Sequence, residues 1–304
     1  LILNSPDTPV PSQEAYLGKL RRLASLQDEK ERRHQERLHE ARSDFKSFLE
    51  YVMKDEATGL KIILAEIHLS WLDHIYFAWS HGLHAVILAP YGSGKSAIMS
   101  IGVPLFCFGV DPSLRITVIS ANDTIAQERL VLIRQYIDHS EEYQELFPNV
   151  RSDPNKGWTQ KRLFLERLTF SKDPSLSASG AIGSIIGKRN DLLIFDDIND
   201  AKNTIQQPKS REIIWTKYTG EYISRLEPGS KILMISTKWH EKDLVGNIMA
   251  DPNMRRAYAF LTQRVSADFM SIECETIIPA LMPAKVESRL ELAHLFNMHK
   301  KGII

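Results

Sequence analysis

Cysteine is scarce, with only Cys107 and Cys274 in 304 residues. They stand far apart in apolar or mixed surroundings. That argues against a disulfide framework or a cysteine-rich zinc site, and it predicts core thiols in a reducing compartment. An excess of one charge is missing too: 38 Lys+Arg balance 38 Asp+Glu, a formal net charge of +0. No bulk attraction to nucleic acid follows, although a local basic strip would vanish in that sum. No apolar run is long enough to span a membrane, which predicts no membrane partner. The front carries no signal-peptide pattern, and no internal repeat is visible. The first residue is Leu1, which predicts a fragment or a chain whose first residues are missing. The remaining composition, 43% hydrophobic and 25% charged, is that of a globular protein. The length suits one large α/β domain with an appendage.

The chain is organised around Ala85 to Ile98, AVILAPYGSGKSAI. Ala85–Leu88 reads as a buried strand, and a helix-compatible segment follows Ser96. Strand, glycine-containing loop, Lys-Ser and helix is the order of a phosphate-binding loop. Pro90, Tyr91, Gly92, Ser93, Gly94, Lys95 and Ser96 are the expected nucleotide contacts. The glycines let several N–H groups converge on one anion, and the helix start adds its positive dipole end. Lys95 is placed for the β/γ-phosphates and Ser96 for Mg²⁺. Ala89 stands where the usual pattern opens with glycine.

A second stretch, Asp191 to Asp197 (DLLIFDD), reads as a buried strand delivering two carboxylates at its C-terminal end. Ligands of parallel sheets bind at that end. Adjacent carboxylates repel unless cations or hydrogen bonds compensate, which predicts Asp196 as the Mg²⁺ group, either directly or one ligand removed, and Asp197 as the base that orients and deprotonates the attacking water. A strand end with a capping Asp pair is the plainer alternative. A third strand, KILMIST, brings Ser236 and Thr237 to the same edge, where Thr237 is placed to sense a γ-phosphate.

The rest reads in order. Pro6, Pro9 and Pro11 mark an extended arm. Residues 12–53 read as helical, with DEKERRHQER (Asp28 to Arg37) wholly polar, either solvated or a docking arm. Residues 60–80 read as an amphipathic helix or helix pair. Ile67, Trp71, Leu72, Ile75 and Phe77 are expected core, and His68 and Trp71 are alternative adenine contacts. Asn122 or Asp123 caps a helix that closes at Pro148. Residues 151–162 form a basic loop, 163–170 a β-hairpin, and the Ser/Gly/Ala-rich 171–187 a flexible loop with little core. Helices are expected from Ser210 to Ile223, from Glu241 to Ala250 and over 285–300, a turn at Pro228-Gly229, and strands between Tyr258 and Ile278.

Five stretches together resemble the ATPase domain of the large subunit of tailed-bacteriophage terminases. They are IHLSWLDHIYFA, APYGSGKS, EEYQELFPN, DPSLSASGAIGSIIGKRNDLLIFDDIND and STKWHEKDLVGNI, and the resemblance covers about residues 60 to 285. It implies an α/β P-loop NTPase of the ASCE type. Such a fold has a mostly parallel sheet flanked by helices, here preceded by an N-terminal helical arm. The implied divisions are an arm over 1–55, an ATPase domain over 56–285 and, over 286–304, the start of a linker towards a nuclease domain. No nuclease activity is expected of residues 1–304. The implied activity is Mg²⁺-dependent ATP hydrolysis driving double-stranded DNA into a procapsid. The implied partners are DNA through its backbone, the portal protein and the small terminase subunit. The chain would act as a homo-oligomeric ring in the host cytoplasm, transiently at the portal vertex. Lys95 and Ser96 match the family's phosphate-binding residues, Asp196 its Mg²⁺ carboxylate, Asp197 its catalytic acid, and Ser236-Thr237 its coupling motif. The resemblance also implies a charge-neutralising arginine supplied by a neighbouring subunit, with Arg189, just before the Asp-bearing strand, as first candidate and Arg162 and Arg151 behind it. Tyr91 departs from the family's usual arginine, and Asp197 from its frequent glutamate. A nucleotide-controlled docking module with little hydrolysis of its own, or another helicase-like P-loop ATPase, are the alternatives.

Overall fold

The structure is a computed structural model that describes residues 13–169, 171–185, 189–265 and 272–279. The chain divides into two compact units, Leu1–Glu40 and Ala41–Ile304. The first unit holds most of helix α1 (Gln13–Ser43). Its polar stretch is laced by ion pairs one turn apart, Glu29–Arg33 and Arg32–Glu36, each at 2.6 Å. Solvated pairs of this kind are each worth about 0.3–0.5 kcal/mol. Leu17, Leu20, Leu23 and Leu26 of the same helix are all exposed.

The helix expected over 12–53 breaks at Asp44. Its carboxylate accepts the Ser47 N–H at 2.8 Å and so caps a new helix, α2 (Phe45–Val52). An Asp at that point satisfies an orphan amide better as a cap than in mid-helix. Phe48 is fully buried and its ring packs 5.2 Å from Phe106 and 6.0 Å from Phe147. That aromatic cluster supports one side of the large unit. Residues 60–65 are not helical: Lys54 and Lys61 form a short antiparallel bridge around Gly59, whose φ is +68°. Helix α3 (Glu66–Ser80) starts later and buries Trp71 and Ile75 completely, while Ile67, Leu72 and Phe77 are half-buried.

Strand β1 (His84–Leu88) leads through the phosphate loop into a π-helical stretch, Ser96–Gly102, and then α4 (Val103–Val110). Strand β2 (Ile116–Ser120) is followed by α5 (Asp123–His139), capped by Asn122 as expected. Glu141–Leu146 is a separate helix, α6, because Ser140 caps it afresh. Strand β3 (Arg162–Leu163) pairs antiparallel with β4 (Leu176–Gly180), so the hairpin expected within 163–170 is replaced by a longer-range pairing. Phe170 and residues 186–188 lie outside the described residues.

β4 also overturns the reading of 171–187 as a flexible loop, since every residue of Leu-Ser-Ala-Ser-Gly is buried. It lies beside β2 with α5 close against it. A Cβ on Gly180 would fall 2.7 Å from the Asp123 backbone nitrogen, so close packing there needs the smallest residue. Strand β5 (Asn190–Asp196) follows the apolar run read from the sequence. After α7 (Pro208–Lys217) come a π-helical turn (Tyr218–Tyr222) and a 3₁₀ turn (Ile223–Arg225), where one helix was expected. Pro228 and Gly229 lie inside β6 (Leu226–Ser236) rather than before it. The ladder to β5 shifts register between Asn190 and Leu192, which accommodates the proline and Gly229 at φ +85°. Helix α8 (Leu244–Ala250) begins after its cap Asp243, and α9 (Pro252–Arg255) is a single turn. β7 (Tyr258–Val265) and β8 (Ile272–Ile277) end the described chain. The helix expected over 285–300 lies outside the described residues.

The eight strands among the described residues form one sheet in the order β3-β4-β2-β5-β6-β1-β7-β8, parallel from β4 to β7 and antiparallel at both margins. Its central strands are near-continuous apolar runs because helices cover both faces. Val86, Leu193, Phe195, Ile232 and Met234 are fully or almost fully buried in one cluster. Cys107 belongs to the core as expected, but Cys274 is exposed on β8, which among the described residues is an edge strand.

Candidate functional site

Register decides what meets at the C-terminal edge of the sheet. Leu88 pairs with Ser236, Asp196 with Ile235 and with Ser120. The ends of β1, β6, β5 and β2 are therefore level, and the phosphate loop, Thr237 and the Asp pair share one edge. β6 lies between the strand that feeds the loop and the strand that bears the aspartates.

Gly92 and Gly94 have φ of +76° and +77°, so the loop curls through a conformation that glycine supplies. Tyr91 is 91% exposed at its outer rim. The loop is also held from behind. His68 Nδ1 accepts the Ala65 N–H at 3.0 Å, which leaves the ring proton on Nε2 in the neutral form. Nε2 then donates to the Ser93 carbonyl at 3.0 Å. The His68 ring lies 5.0 Å from Trp71, whose indole N–H donates to Gln263 on β7. His68 and Trp71 are thus tied into the scaffold of the loop, which favours the core reading of Trp71.

Lys95 is 4% exposed. Its ammonium donates to the carbonyls of Ala89 and Pro90 at 3.1 and 3.0 Å and to Thr237 Oγ1 at 2.8 Å. Asp197 Oδ2 is 3.8 Å away. Burial holds the Lys95 ammonium below its ordinary pKa, with Asp197 and Asp196 opposing that shift. Burial likewise raises the Asp197 carboxyl above the usual carboxylate range, against the pull of Lys95 and the Thr237 N–H. Asp197 has φ +42°, left-handed for a residue with a Cβ. Its backbone N–H donates to Ile235 and its Oδ1 accepts the Thr237 N–H, both at 2.8 Å. Those bonds fix a backbone that would otherwise cost energy, as at many reactive positions.

Asp196 is 1% exposed. Its Oδ1 accepts the Ser96 hydroxyl at 2.9 Å and its Oδ2 accepts Arg129 Nε at 3.0 Å. A hydroxyl and two adjacent carboxylates are hard oxygen donors, the set that suits Mg²⁺. Among the described residues no cluster of three or more His, Cys, Asp or Glu could hold a metal on its own. A divalent ion here would therefore complete its shell from phosphate and water, as Mg²⁺ commonly does.

The sequence-expected residues divide cleanly. Pro90 to Ser96, Thr237, Asp196 and Asp197 converge on one edge. Arg189 sits at the opposite end of β5, 70% exposed and 3.2 Å from Glu227, so within one chain it does not reach this site. Arg151 donates to the Pro148 carbonyl, and Arg162 begins β3 near the margin of the sheet. Arg129 was missed. Its signal was its helical phase: with Ala126, Leu130, Ile133 and Ile137 buried, position 129 borders the inward face of α5. A cation there calls for a buried carboxylate.

The strand order, with one strand inserted between the phosphate loop and the Asp pair, defines a P-loop NTPase of the ASCE arrangement. No protein-family model matches the chain. A curated relative, the terminase large subunit of Enterobacteria phage T3, is 27% identical over 161 residues, 52% of this chain and 26% of that one. The expected resemblance to phage terminase large subunits therefore holds, over about a quarter of that relative's length. Among solved structures, the HK97 bacteriophage large terminase is 14% identical, with coverage of 85% of this chain and 50% of that one and a TM-score of 0.49. A DEAD box protein from Methanococcus jannaschii is 11% identical (66% and 54% covered, TM-score 0.36). The large terminase ATPase domain of Thermus phage P74-26 is 14% identical (57% and 70% covered, TM-score 0.30). Among the described residues no helix is long and apolar enough to cross a membrane.

Proposed function

We propose that this chain is the ATP-hydrolysing motor domain of a terminase large subunit that drives double-stranded DNA into a procapsid. The observation that carries the reading is the convergence of Lys95, Ser96, Asp196, Asp197 and Thr237 on one sheet edge beside a glycine-curled loop. Main-chain N–H groups of residues 91–96 bind the phosphates. Lys95 exchanges its carbonyl partners for phosphate oxygens. Ser96 and Asp196 would hold Mg²⁺, which when bound would neutralise phosphate charge. Asp197 orients the attacking water and accepts its proton. Thr237, bonded at once to Lys95 and Asp197, registers whether the γ-phosphate is present.

The assembled form would be a homo-oligomeric ring at the portal vertex in the host cytoplasm, with portal protein and small subunit as partners. Arg189, which lies away from its own chain's phosphate loop, is the first candidate to act on a neighbour's nucleotide, followed by Arg162 and Arg151. DNA contacts would go to the backbone, since a packaging motor must pass any sequence, and binding would weaken with salt. The test is multiple-turnover phosphate release by the purified chain with MgCl₂ and ATP. Release that disappears in Lys95→Ala and Asp197→Ala supports the reading. Release that persists in both places hydrolysis elsewhere.

A further inference from the structure

We infer that Arg129 is a positioning residue that competes with Mg²⁺ for Asp196 and thereby sets how much Mg²⁺ the nucleotide site demands. The inference rests on the nucleotide reading proposed above and concerns regulation of that same site.

The argument is one of occupancy. Asp196 is almost wholly buried, and each of its oxygens is engaged, Oδ1 by the Ser96 hydroxyl and Oδ2 by the Arg129 Nε–H at 3.0 Å. A buried carboxylate without a cation is costly, so Arg129 compensates it. A divalent ion that used the same carboxylate would meet a guanidinium already in place. Two cations on one carboxylate, even at its two different oxygens, repel each other in a partly buried site, and that repulsion subtracts from both interactions. Arg129 is about one-fifth exposed, so its guanidinium has solvent on one side into which it can withdraw.

What Arg129 is attached to gives the competition a consequence. It stands on α5, whose first residue, Asp123, is tied to two other parts of the fold. Asp123 Oδ1 accepts the Gly180 N–H of β4 and Oδ2 accepts Lys161, both at 2.7 Å. Displacing Arg129 from Asp196 loosens the one ion pair that joins α5 to β5 among the described residues. The helix that anchors the basic loop before β3 thus senses the charge at the metal carboxylate.

The experiment is an Mg²⁺ titration of the binding of a fluorescent, non-hydrolysable ATP analogue to the purified chain, with Arg129→Gln and Arg129→Lys beside the unaltered protein. The competing charge is expected to hold the midpoint about tenfold high, in keeping with the one to three logarithmic units that a close opposite charge contributes at a carboxylate. Arg129→Gln should therefore need about a tenth of the Mg²⁺, and Arg129→Lys should return towards the original midpoint. In EDTA without nucleotide, Arg129→Gln should melt lower than the unaltered chain, and the gap should narrow with MgCl₂ and analogue present. A residue that merely braced the fold would lower melting equally in both conditions. A midpoint for Arg129→Gln equal to or above the original overturns the inference. If Arg129→Gln does not fold, hydrogen exchange of the unaltered chain decides. Protection over residues 123–139 should change when Mg²⁺ is added to the analogue complex, and unchanged protection overturns the inference. An unaltered chain that binds no analogue at any Mg²⁺ level overturns the nucleotide reading itself, a result distinct from binding with an unshifted variant.

Discussion

The Lys95 ammonium lies 2.8 Å from Thr237 Oγ1, while the Thr237 N–H donates to Asp197 at the same distance. Thr237 is therefore bonded to both Lys95 and Asp197, the side chains proposed above to bind phosphate and to accept the proton. Thr237→Val keeps the backbone N–H and the side-chain volume and removes only the hydroxyl. We expect turnover to fall about 10- to 100-fold with nucleotide affinity within a few-fold of the original, because the lost bond bears on placement for reaction. A variant that lost affinity and kept its maximal rate would assign Thr237 to binding alone.

Asp197 combines φ +42° with a carboxylate that faces Lys95. Asparagine tolerates that backbone and can still accept the Thr237 N–H, but it cannot take a proton from water. Asp197→Asn should lose about 10²- to 10⁴-fold in turnover. It should bind nucleotide as before and melt no lower than the original. Thermal melting with phosphate release on the same preparation checks both halves, and a cold, inactive variant that had also unfolded would leave the strand end, rather than the chemistry, responsible.

Lys231 is 4% exposed, and its ammonium donates to the Trp79 carbonyl at 3.3 Å. Burial lowers its pKa from 10.5 to about 8. The unfolded chain therefore holds this proton more tightly, and stability rises as pH climbs from about 8 to 10.5. Below that window the fold carries the cost of a buried charge. Lys231→Met should stabilise the protein by about 1–3 kcal/mol at pH 7. The gain should shrink steadily towards pH 10.5, the ordinary value of a lysine. Denaturant midpoints measured across that range would show the convergence, and parallel curves would contradict it.

His74 behaves in the opposite region of the scale. It is 6% exposed and its Nε2 bonds to the Ala259 carbonyl at 3.1 Å, and burial lowers its pKa from 6.5 to about 4. The folded state keeps it neutral, so the stability it contributes is present above 6.5 and is lost as pH falls from there towards 4. His74→Gln can preserve the donor while removing the titration. Its melting temperature should depend less on pH across that interval than that of the original chain. Equal slopes would place the acid sensitivity on other groups, His84 first, whose pKa is also lowered to about 4 by burial and by Lys231.

The elements easiest to read in the sequence were those whose chemistry is carried by bulk. DLLIFDD and KILMIST are continuous apolar runs, and strands covered on both faces need little else. The phosphate loop was legible because glycine, lysine and serine are each required for a separate reason. Leu176–Gly180 escaped because its burial comes from close approach and not from large side chains, and hydrophobicity does not register closeness. Among the described residues no hairpin forms over 163–170 for the same reason, since the partner of Leu163 is Leu176, in a segment whose composition is that of a loop. Arg129 escaped because a charged residue on an amphipathic helix is ordinarily solvated. Only the depth of Asp196, a tertiary fact, turns it inward. The π-helical stretch after the loop has no compositional mark at all.

Gly180 makes the gap between β4 and α5 as narrow as backbone atoms allow. Helix α5 also carries Arg129, which touches Asp196. A single methyl at position 180 would thus act as a shim: it would press the start of the helix away from the sheet and draw the guanidinium off its partner from some distance along the helix. The grip on one buried aspartate is calibrated by a residue with no side chain at all.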